Sequence, residues 1–584
     1  MIARSHLLLV LTLAPGALAC SGSSSNLTPD AAPTPGADAS EVDVSDASAD
    51  ATNVGPSDAG ADAGPSSDAG VPSLTALAVV PTVPDGSSAG LALVPPFSPG
   101  IHDYYVRCAA GTNELTLSMS ASSGAQTALS QPAASPAAAT QTLALSVTEN
   151  QAIVAVVTQG TASTEYWVRC LPHDFPELEM TLHPDAGTAP AGYYLVGNLM
   201  PTTSGGYAMI LDGNGVPVWY DATPAGLGAA DVDAVVSGAV SLMPYSATAA
   251  ESFEVHQLQP KSKTVLAPAG YATDVHELRV LPNGNYLVLS YPLRSGVDLT
   301  GLTIAGTGDA GALTPGPDST IQDCAVVEFE PSGTVVSTWL ASDHFDPAQD
   351  STLPLTGFGP GATAADGGTV YDVFHCNSID VDPANGNLLV SAREMDSVFY
   401  VDRPSGKVLW KMGGATASKD GATYVAVSDP FFRQHDARLQ PGWSSSCSGG
   451  SGQISLFDDE TQAPGPARGV VYDVVVGSGD GGVTGCDGGP AVDGGTPGQA
   501  TVAWQYKGSV STAATGSFRI SADGSRVIGW GLGGKPDLAF TEVDVDGNDL
   551  LDFAFPDGNT TYRAIKVPLA TYDLGVLRAT AGSP

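Results

Sequence analysis

Hydrophobic and polar positions alternate most regularly between Asp372 and Gly413. Four short runs there, at 378–382, 388–391, 397–402 and 408–412, place apolar residues at every second position, the period of a strand with one face in a core. Asn385-Gly386 and Pro404-Ser405-Gly406 separate the runs, and turns of that chemistry close short hairpins. The stretch predicts one complete four-stranded antiparallel sheet, the repeating unit of a β-propeller.

Weaker copies of this pattern flank it. Residues 274–340 carry DVHELRVLPNGNYLVLSYP and, after an insertion, CAVVEFEPSGTVVSTW; residues 433–507 carry RQHDARL, ISLFDDE, GVVYDVVVG and TVAWQYK. Two further copies fall at 515–555 and 191–220, and 228–270 reads as a sixth, faintly marked one. Units of this length with no amphipathic helical stretch between them point to radial repetition, so the fold predicted is all-β: a six-bladed β-propeller over 173–584. Residues 73–172, rich in Val, Leu, Thr and Ser with frequent turn residues, predict a small antiparallel β-sandwich ahead of it. The phrase YYVRC, ending at Cys108, recurs there as YWVRC, ending at Cys170, and the stretch resembles the cadherin-like domains of bacterial surface proteins.

The first 72 residues have a different character. Residues 1–20 combine a basic start (Arg4), an apolar centre and a small-residue exit ending in Cys20, the layout of a secretory signal. Ala17-Leu18-Ala19-Cys20 resembles the bacterial lipobox, which makes Cys20 the expected lipidation site and a lipid the expected membrane anchor. Residues 21–72 hold nine acidic residues, no Lys or Arg, and otherwise mostly Ser, Ala, Pro, Gly and Thr, so they read as a solvated tether. Export to the bacterial cell envelope follows as the expected location.

Composition narrows the classes of function. The 69 glycines and 44 prolines serve turns, and 43% hydrophobic residues suffice for large cores. A net charge of −39 argues against nucleic acid or an anionic membrane surface as partner. Setting Cys20 aside leaves six cysteines of the seven, an even number suited to disulfides in an oxidising compartment. Pairing within one domain or between neighbouring blades favours Cys108 with Cys170, Cys324 with Cys376, and Cys447 with Cys486.

Candidate chemistry collects at the blade mouths. His276, His375 and His435 each stand at the start of a first strand (HELRVL, HCNSIDV, HDARL), although the chain has only nine histidines. In a propeller these positions are brought onto a ring about the axis. A single such histidine is more often structural; three at one phase of consecutive repeats point to a site. Arg393 ends the second strand of its blade, and Arg468 precedes the third strand of the next. Three imidazoles and two guanidiniums in so acidic a chain form a local positive focus for an oxyanion such as sulfate or phosphate.

The FHCNSIDVD blade with its downstream arginine, the QHDARL segment and the PNGNYLV and PSGKVLWKM turns resemble the arylsulfotransferase family over about residues 185–570. That resemblance implies sulfuryl transfer from an aryl sulfate ester to a phenol, without a nucleotide donor, by a ping-pong route through a sulfohistidine. It implies His435 as nucleophile, His276, His375 and Arg393 as sulfuryl-binding groups, and Asn377 as a further polar contact, with no cofactor and no metal. Arg468 is added as a substrate contact from its place in the next blade. Two insertions, at 295–320 and 440–453, depart from the family pattern, the first as a Gly-rich loop.

Rival readings stand beside it. Three histidines are also a zinc ligand set, which a fixed arginine disfavours. Trp219, Trp339, Trp410 and Trp504 occupy final-strand positions, as in quinone-cofactor propellers, but blade packing accounts for them. Asp436 is an obvious candidate to orient His435, yet strand alternation turns it the other way. The phrase DVDGND at 544–549 lacks the spacing of a calcium loop and reads as a hairpin turn. The runner-up in function is a non-enzymatic surface lipoprotein whose propeller binds a glycan or a protein; a homodimer is left open.

Overall fold

The computed structural model describes residues 71–82, 92–201, 204–247, 251–304, 312–357, 363–364, 367–416, 418–445, 450–477 and 498–582. Cys20, the proposed signal, the tether up to residue 70, and the Cys447–Cys486 pair lie outside the described residues.

The strands of residues 74–171 form two sheets. Leu74–Pro81, Thr112–Ala121 and Thr140–Thr148 make one; Asp103–Arg107, Ala162–Leu171, Ala152–Gln159 and Gln126–Gln131 make the other. Alternation dictates the packing, because Leu115, Leu117 and Met119 point inward from one strand and meet Ile153, Ala155, Val157, Tyr166 and Val168 of the facing sheet in one core. The sandwich is not purely antiparallel as expected. Asp103–Arg107 runs parallel to Ala162–Leu171, Val106 opposite Cys170, which sets the two similar phrases side by side. Their terminal cysteines then lie 5.5 Å apart at Cα and form the disulfide Cys108–Cys170.

Most of the remaining strands form the predicted ring of six blades. From the second to the fifth blade, each unit's own strands run outward in chain order. The second holds Gly228–Asp233, Ala239–Tyr245, Phe253–Leu258 and Lys261–Leu266, and the third Leu278–Val280, Tyr286–Ser290, Ala325–Phe329 and Val335–Leu340. The fourth holds Cys376–Val381, Leu388–Ala392, Ser397–Val401 and Val408–Met412, and the fifth His435–Leu439, Ser451–Asp458, Arg468–Val475 and Gly498–Lys507. Blade strands read as near-continuous apolar runs because neighbouring blades bury both faces; all five residues of Tyr193–Gly197 are buried, for example.

Ring closure draws on both ends of the propeller. The first blade is Tyr193–Gly197, Tyr207–Leu211 and Pro217–Ala222, and its innermost strand is Ala564–Val567 from the far end of the chain. The sixth is Ser517–Ile520, Arg526–Gly529, Phe540–Val543 and Asp549–Ala554, with Glu179–Leu182 added on its outer edge. Each closing strand thus ties residues nearly a whole propeller apart in sequence, as the removal of open edges requires.

Two further features position the site. The third-blade insertion, expected as a Gly-rich loop, contributes strands Leu293–Val297 and Ser319–Gln322, which pair with Val370–Asp372 and Leu355–Thr356 into a small sheet. Thr423–Val427 lies parallel both to Val408–Met412 and to Gly498–Lys507, so the fourth and fifth blades join at their outer edges into one nine-stranded sheet. Cys324–Cys376 pins the third blade to the first strand of the fourth. Among the described residues, no helix is long and apolar enough to cross a membrane.

Candidate active site

Each blade's inner strand carries a polar residue at or just before its start, or within its first turn of pairing. Arg563, Asp231, Glu277, Asp436 with Arg438, and Arg519 come from five different blades, and Asn377 comes from the remaining one. They interlock: Arg563 reaches Asp231 at 2.7 Å and Glu277 at 3.1 Å, Arg438 reaches Asp436 at 2.6 Å and Glu277 at 2.5 Å, and Arg519 grips Asp436 at 2.7 Å. Three carboxylates meet three guanidiniums, so the buried charges balance, which is the condition under which such a cluster is tolerable. The Arg563 Nη2 also donates to the Asn377 carbonyl at 3.1 Å.

Directly before Glu277, Asn377 and Asp436 in the chain stand the histidines of the site or their next neighbours. His375 and Asp436 have φ of 49° and 56°, a left-handed turn rarely adopted by residues other than glycine, and the turn re-aims the chain where each strand enters. As a result His276 and His375 meet edge to face with ring centroids 5.0 Å apart, and His435 stacks 6.0 Å from His276. His276 and His375 are 5% and 7% exposed and face a cavity; His435, at 1%, lies deeper.

Each imidazole has a carboxylate at Nδ1. Asp274 is 2.5 Å from His276, Asp372 is 2.6 Å from His375, and Asp459 is 2.9 Å from His435. The consequences differ. Burial depresses the pKa of His276, and Asp274 only partly offsets it. Burial also opposes the charged form of His375, but there Asp372 wins and the pKa lies above its ordinary value. Burial, His276 and Arg393 together hold His435 far below its ordinary value, so its ring is neutral. His435 Nδ1 lies 3.2 Å from the Arg433 carbonyl, which has no proton to give; the ring proton is therefore on Nδ1, and Nε2 carries the lone pair. That Nε2 is buried without a hydrogen-bond partner.

The cavity has a volume of about 500 Å³. Its inner wall is His276, His375, Arg393, Tyr291, Tyr562 and Thr515, and its outer wall is apolar, with Met200, Met243, Leu355 and Leu532. Arg393 sits on the short 3₁₀ turn Arg393–Met395 that follows its strand. Its Nη1 pairs with Glu394, its Nη2 donates to the Ala513 carbonyl at 3.0 Å, and its Nε has no partner. Burial works against the guanidinium's charge, but Glu394 and Asp459 more than restore it. Tyr291 donates to the Cys376 carbonyl and lies 3.3 Å from His276 Nδ1, linking the third and fourth blades beside the disulfide. The arrangement presents one neutral nucleophilic nitrogen beside a protonatable imidazole and a fixed cation, which suits attack on an anionic, electrophilic centre.

The structure brings His276, His375, His435 and Arg393 together, and not the other two expected contacts. Asn377 is fully buried below the histidines, where its Nδ2 donates to the Gln434 carbonyl at 2.6 Å and ties two inner strands. Arg468 does not line the cavity; it is spent on Asp429 at 2.6 Å, Asp458 at 2.9 Å, Gln505 and the Pro430 carbonyl. Asp436 turns away as strand alternation requires, and the carboxylate at His435 is Asp459, from the second strand's far end in LFDDE. The signal for the other two was local, since Asp precedes histidine by two residues in DVH and by three in DVFH. Nothing local marked Asp459, Tyr291 or Thr515.

Among the described residues, Asp372, His375 and Glu394 bring three potential metal-ligand atoms within 4.8 Å of one another. They do not fit an ion. The 2.6 Å approach of Asp372 to His375 is a hydrogen bond, whereas ligands about 2.1 Å from one tetrahedral ion stand roughly 3.4 Å apart, and Arg393 already neutralises Glu394. The tryptophans are structural too: Trp410 stacks on Tyr400 and Trp504 on Phe518, each at 5.4 Å. Asp544 accepts from the backbone of Asp546 and Asn548 and so closes a turn.

Fold and site define a six-bladed propeller with three imidazoles and a guanidinium gathered at one mouth of its axis. Residues 247–479, from the second blade to the fifth, match the arylsulfotransferase (ASST) family. The match supports aryl sulfotransferase activity in general and small-molecule aryl substrates. No curated protein matches. Similar solved structures include a protein of unknown function from Bacteroides caccae, with 11% identity, TM-score 0.35 and coverage of 64% of this chain and 99% of that one. TolB from Acinetobacter baumannii has 9% identity and TM-score 0.33, with 72% and 80% of the two chains covered. An auxiliary nutrient binding protein from Bacteroides thetaiotaomicron has 10% identity and TM-score 0.27, with 76% and 95% covered. At these scores the likenesses say nothing of function.

Proposed function

We propose that the protein transfers a sulfuryl group from an aryl sulfate ester to a phenolic acceptor, with His435 as the nucleophile and a sulfohistidine as the intermediate. The observation that carries this reading is a buried, neutral His435 whose unpartnered Nε2 lies among two further imidazoles and Arg393. Sulfuryl transfer, like phosphoryl transfer, spreads negative charge over equatorial oxygens, so the protein's task is to position groups and stabilise charge. His375, whose positive charge Asp372 favours, and Arg393 are the cations for those oxygens, and His276 is the third sulfuryl-binding group. The apolar outer wall suits the aryl body. Attack by Nε2 on sulfur expels the phenolate; the acceptor phenolate then takes the sulfuryl group back from nitrogen.

The test is a single-turnover assay with a labelled aryl sulfate and no acceptor. Wild type should release one equivalent of phenol and hold an acid-labile, base-stable label, and His435→Ala should do neither. Phenol release by His435→Ala at the wild-type rate would sink the mechanism. Absence of turnover by wild type across a broad donor panel would favour a propeller that binds a glycan or protein instead.

The same reading includes export and a lipid tether on Cys20, ahead of folded parts that begin near residues 73 and 173. Cys20→Ser should move the protein from the membrane fraction to the soluble one. Unchanged fractionation would place the anchor elsewhere.

A further inference from the structure

Asp459 is a fully buried carboxylate for which neither oxygen receives a hydrogen bond. Such a group costs several kcal/mol unless something nearby needs it. Its close polar contact is His435 Nδ1, 2.9 Å from Oδ2, but that contact is off the line of the ring N–H, which points to the Arg433 carbonyl at 3.2 Å. In the resting site the carboxylate therefore lies beside a neutral ring without being used by it. Asp436, the chain neighbour of His435, is taken by Arg519, Arg438 and the Phe518 amide. Asp274 and Asp372 serve the other two histidines. Among the described residues, Asp459 is the carboxylate placed to answer a charge appearing on His435.

We propose that Asp459 is the positioning residue of His435, holding the imidazolium that forms when Nε2 takes up the sulfuryl group. This rests on the reading of His435 as nucleophile. In the first half-reaction the Nε2 lone pair forms the N–S bond, the S–O(aryl) bond breaks, and the phenolate leaves with the electron pair. Nδ1 keeps its hydrogen, so the ring gains a unit of positive charge 2.9 Å from Asp459. In the second half-reaction the acceptor phenolate forms the new O–S bond and the N–S pair returns to Nε2. A ring kept protonated at Nδ1 leaves as neutral imidazole; one that lost that proton would leave as an anion, far less readily.

The surroundings fit this role. Burial, Asp458 and Glu394 push the Asp459 carboxyl up, while Arg393 and Arg433 oppose them. The phenolate takes its proton from solvent and the Asp459 carboxylate faces the new positive charge on the ring, so charge and protons balance. His276, His375, Arg393 and Arg563 face His435 and disfavour its positive charge, which makes one nearby carboxylate the more consequential.

Asp459→Asn removes the charge and keeps the shape. In the single-turnover assay it should slow phenol release by about 10²- to 10⁴-fold, the range for amidating a carboxylate that holds a reacting imidazole, with donor KM nearly unchanged. It should also abolish the acid limb of the wild-type pH–rate profile, and Asp459→Glu should restore part of the rate. A variant that keeps the wild-type rate and profile, or loses through KM alone, overturns the proposal. A substrate-free measurement separates this from the enzyme reading: the proton NMR line of His435 Nδ1–H, assigned by its loss in His435→Ala, should shift in folded Asp459→Asn. An unmoved line overturns the pairing even if wild type turns over, and a shifted line with an inactive wild type sustains the pairing while the transfer chemistry falls.

Discussion

At the scale of single residues, two titrations of opposite consequence meet in one cavity. His375 is raised, so its positive charge, present below its folded pKa, is lost as pH rises through that value. His435 is depressed and stays neutral well into acid, so it imposes no acid limb near pH 6.5. Donor cleavage should therefore fall on the alkaline side with the His375 pKa, and His375→Gln should flatten that limb in a kcat/KM profile. The same shifts act on stability. His375 contributes stability below the unfolded value of 6.5 that disappears as pH rises through the folded pKa; His435 costs stability below 6.5, where the unfolded ring would take a proton. Arg393→Lys should cut kcat by roughly 10²- to 10³-fold, because a point charge cannot reproduce a guanidinium held by Glu394 and the Ala513 carbonyl. The three histidines and Arg393 were legible because they recur at one phase of a repeat. Asp459 was not, because its proximity to His435 arises only when the second strand folds back on the first. Arg468 shared the repeat phase of Arg393 but not its neighbours, and Asp429 and Asp458 take it away from the cavity.

At the scale of elements, the most legible sheet was the fourth blade, whose short apolar strands are separated by strong turns. The least legible was the first, since its inner strand, Ala564–Val567, is four residues long and pairs with Tyr193–Gly197 across the whole propeller. No local pattern announces such a partner. Blade contacts are also tighter than hydropathy suggests. A Cβ at Gly228 would stand 1.7 Å from the Leu199 carbonyl oxygen, because the first and second blades touch there backbone to backbone. Gly228→Ala should destabilise by about 1–3 kcal/mol or more, seen as a lower midpoint in urea unfolding. A midpoint equal to wild type would mean that the two blades part more easily than this contact implies. The Cys324–Cys376 bridge should matter in two ways. In the chain-entropy account, a loop of 52 residues corresponds to about 4 kcal/mol, so replacing both cysteines by Ser should lower stability by that order. It should also lower kcat, since Cys376 adjoins His375 and its carbonyl holds Tyr291.

At the scale of the whole molecule, the proposed sulfuryl transfer would require a chain of net charge −39 to admit an anionic ester to a small cationic focus. Long-range repulsion is screened within about 10 Å at 0.1 M salt, so kcat/KM for the donor should rise with ionic strength at the low end; a fall would show that the local focus dominates. The axial cluster behaves differently, being sealed from salt. Arg563→Met should destabilise by about 3–5 kcal/mol, because Asp231 and Glu277 would remain buried with fewer partners, and calorimetry would register the loss. That cluster has one more consequence. It plugs the axis beneath the histidines, so the cavity is a cul-de-sac, and whatever enters must leave by the way it came. A spent phenol must clear its place against the sulfuryl group before an acceptor can take it, within a space of about 500 Å³. The order of events is then enforced by traffic rather than by any moving part, and each reactant in excess should jam the form of the protein meant for the other.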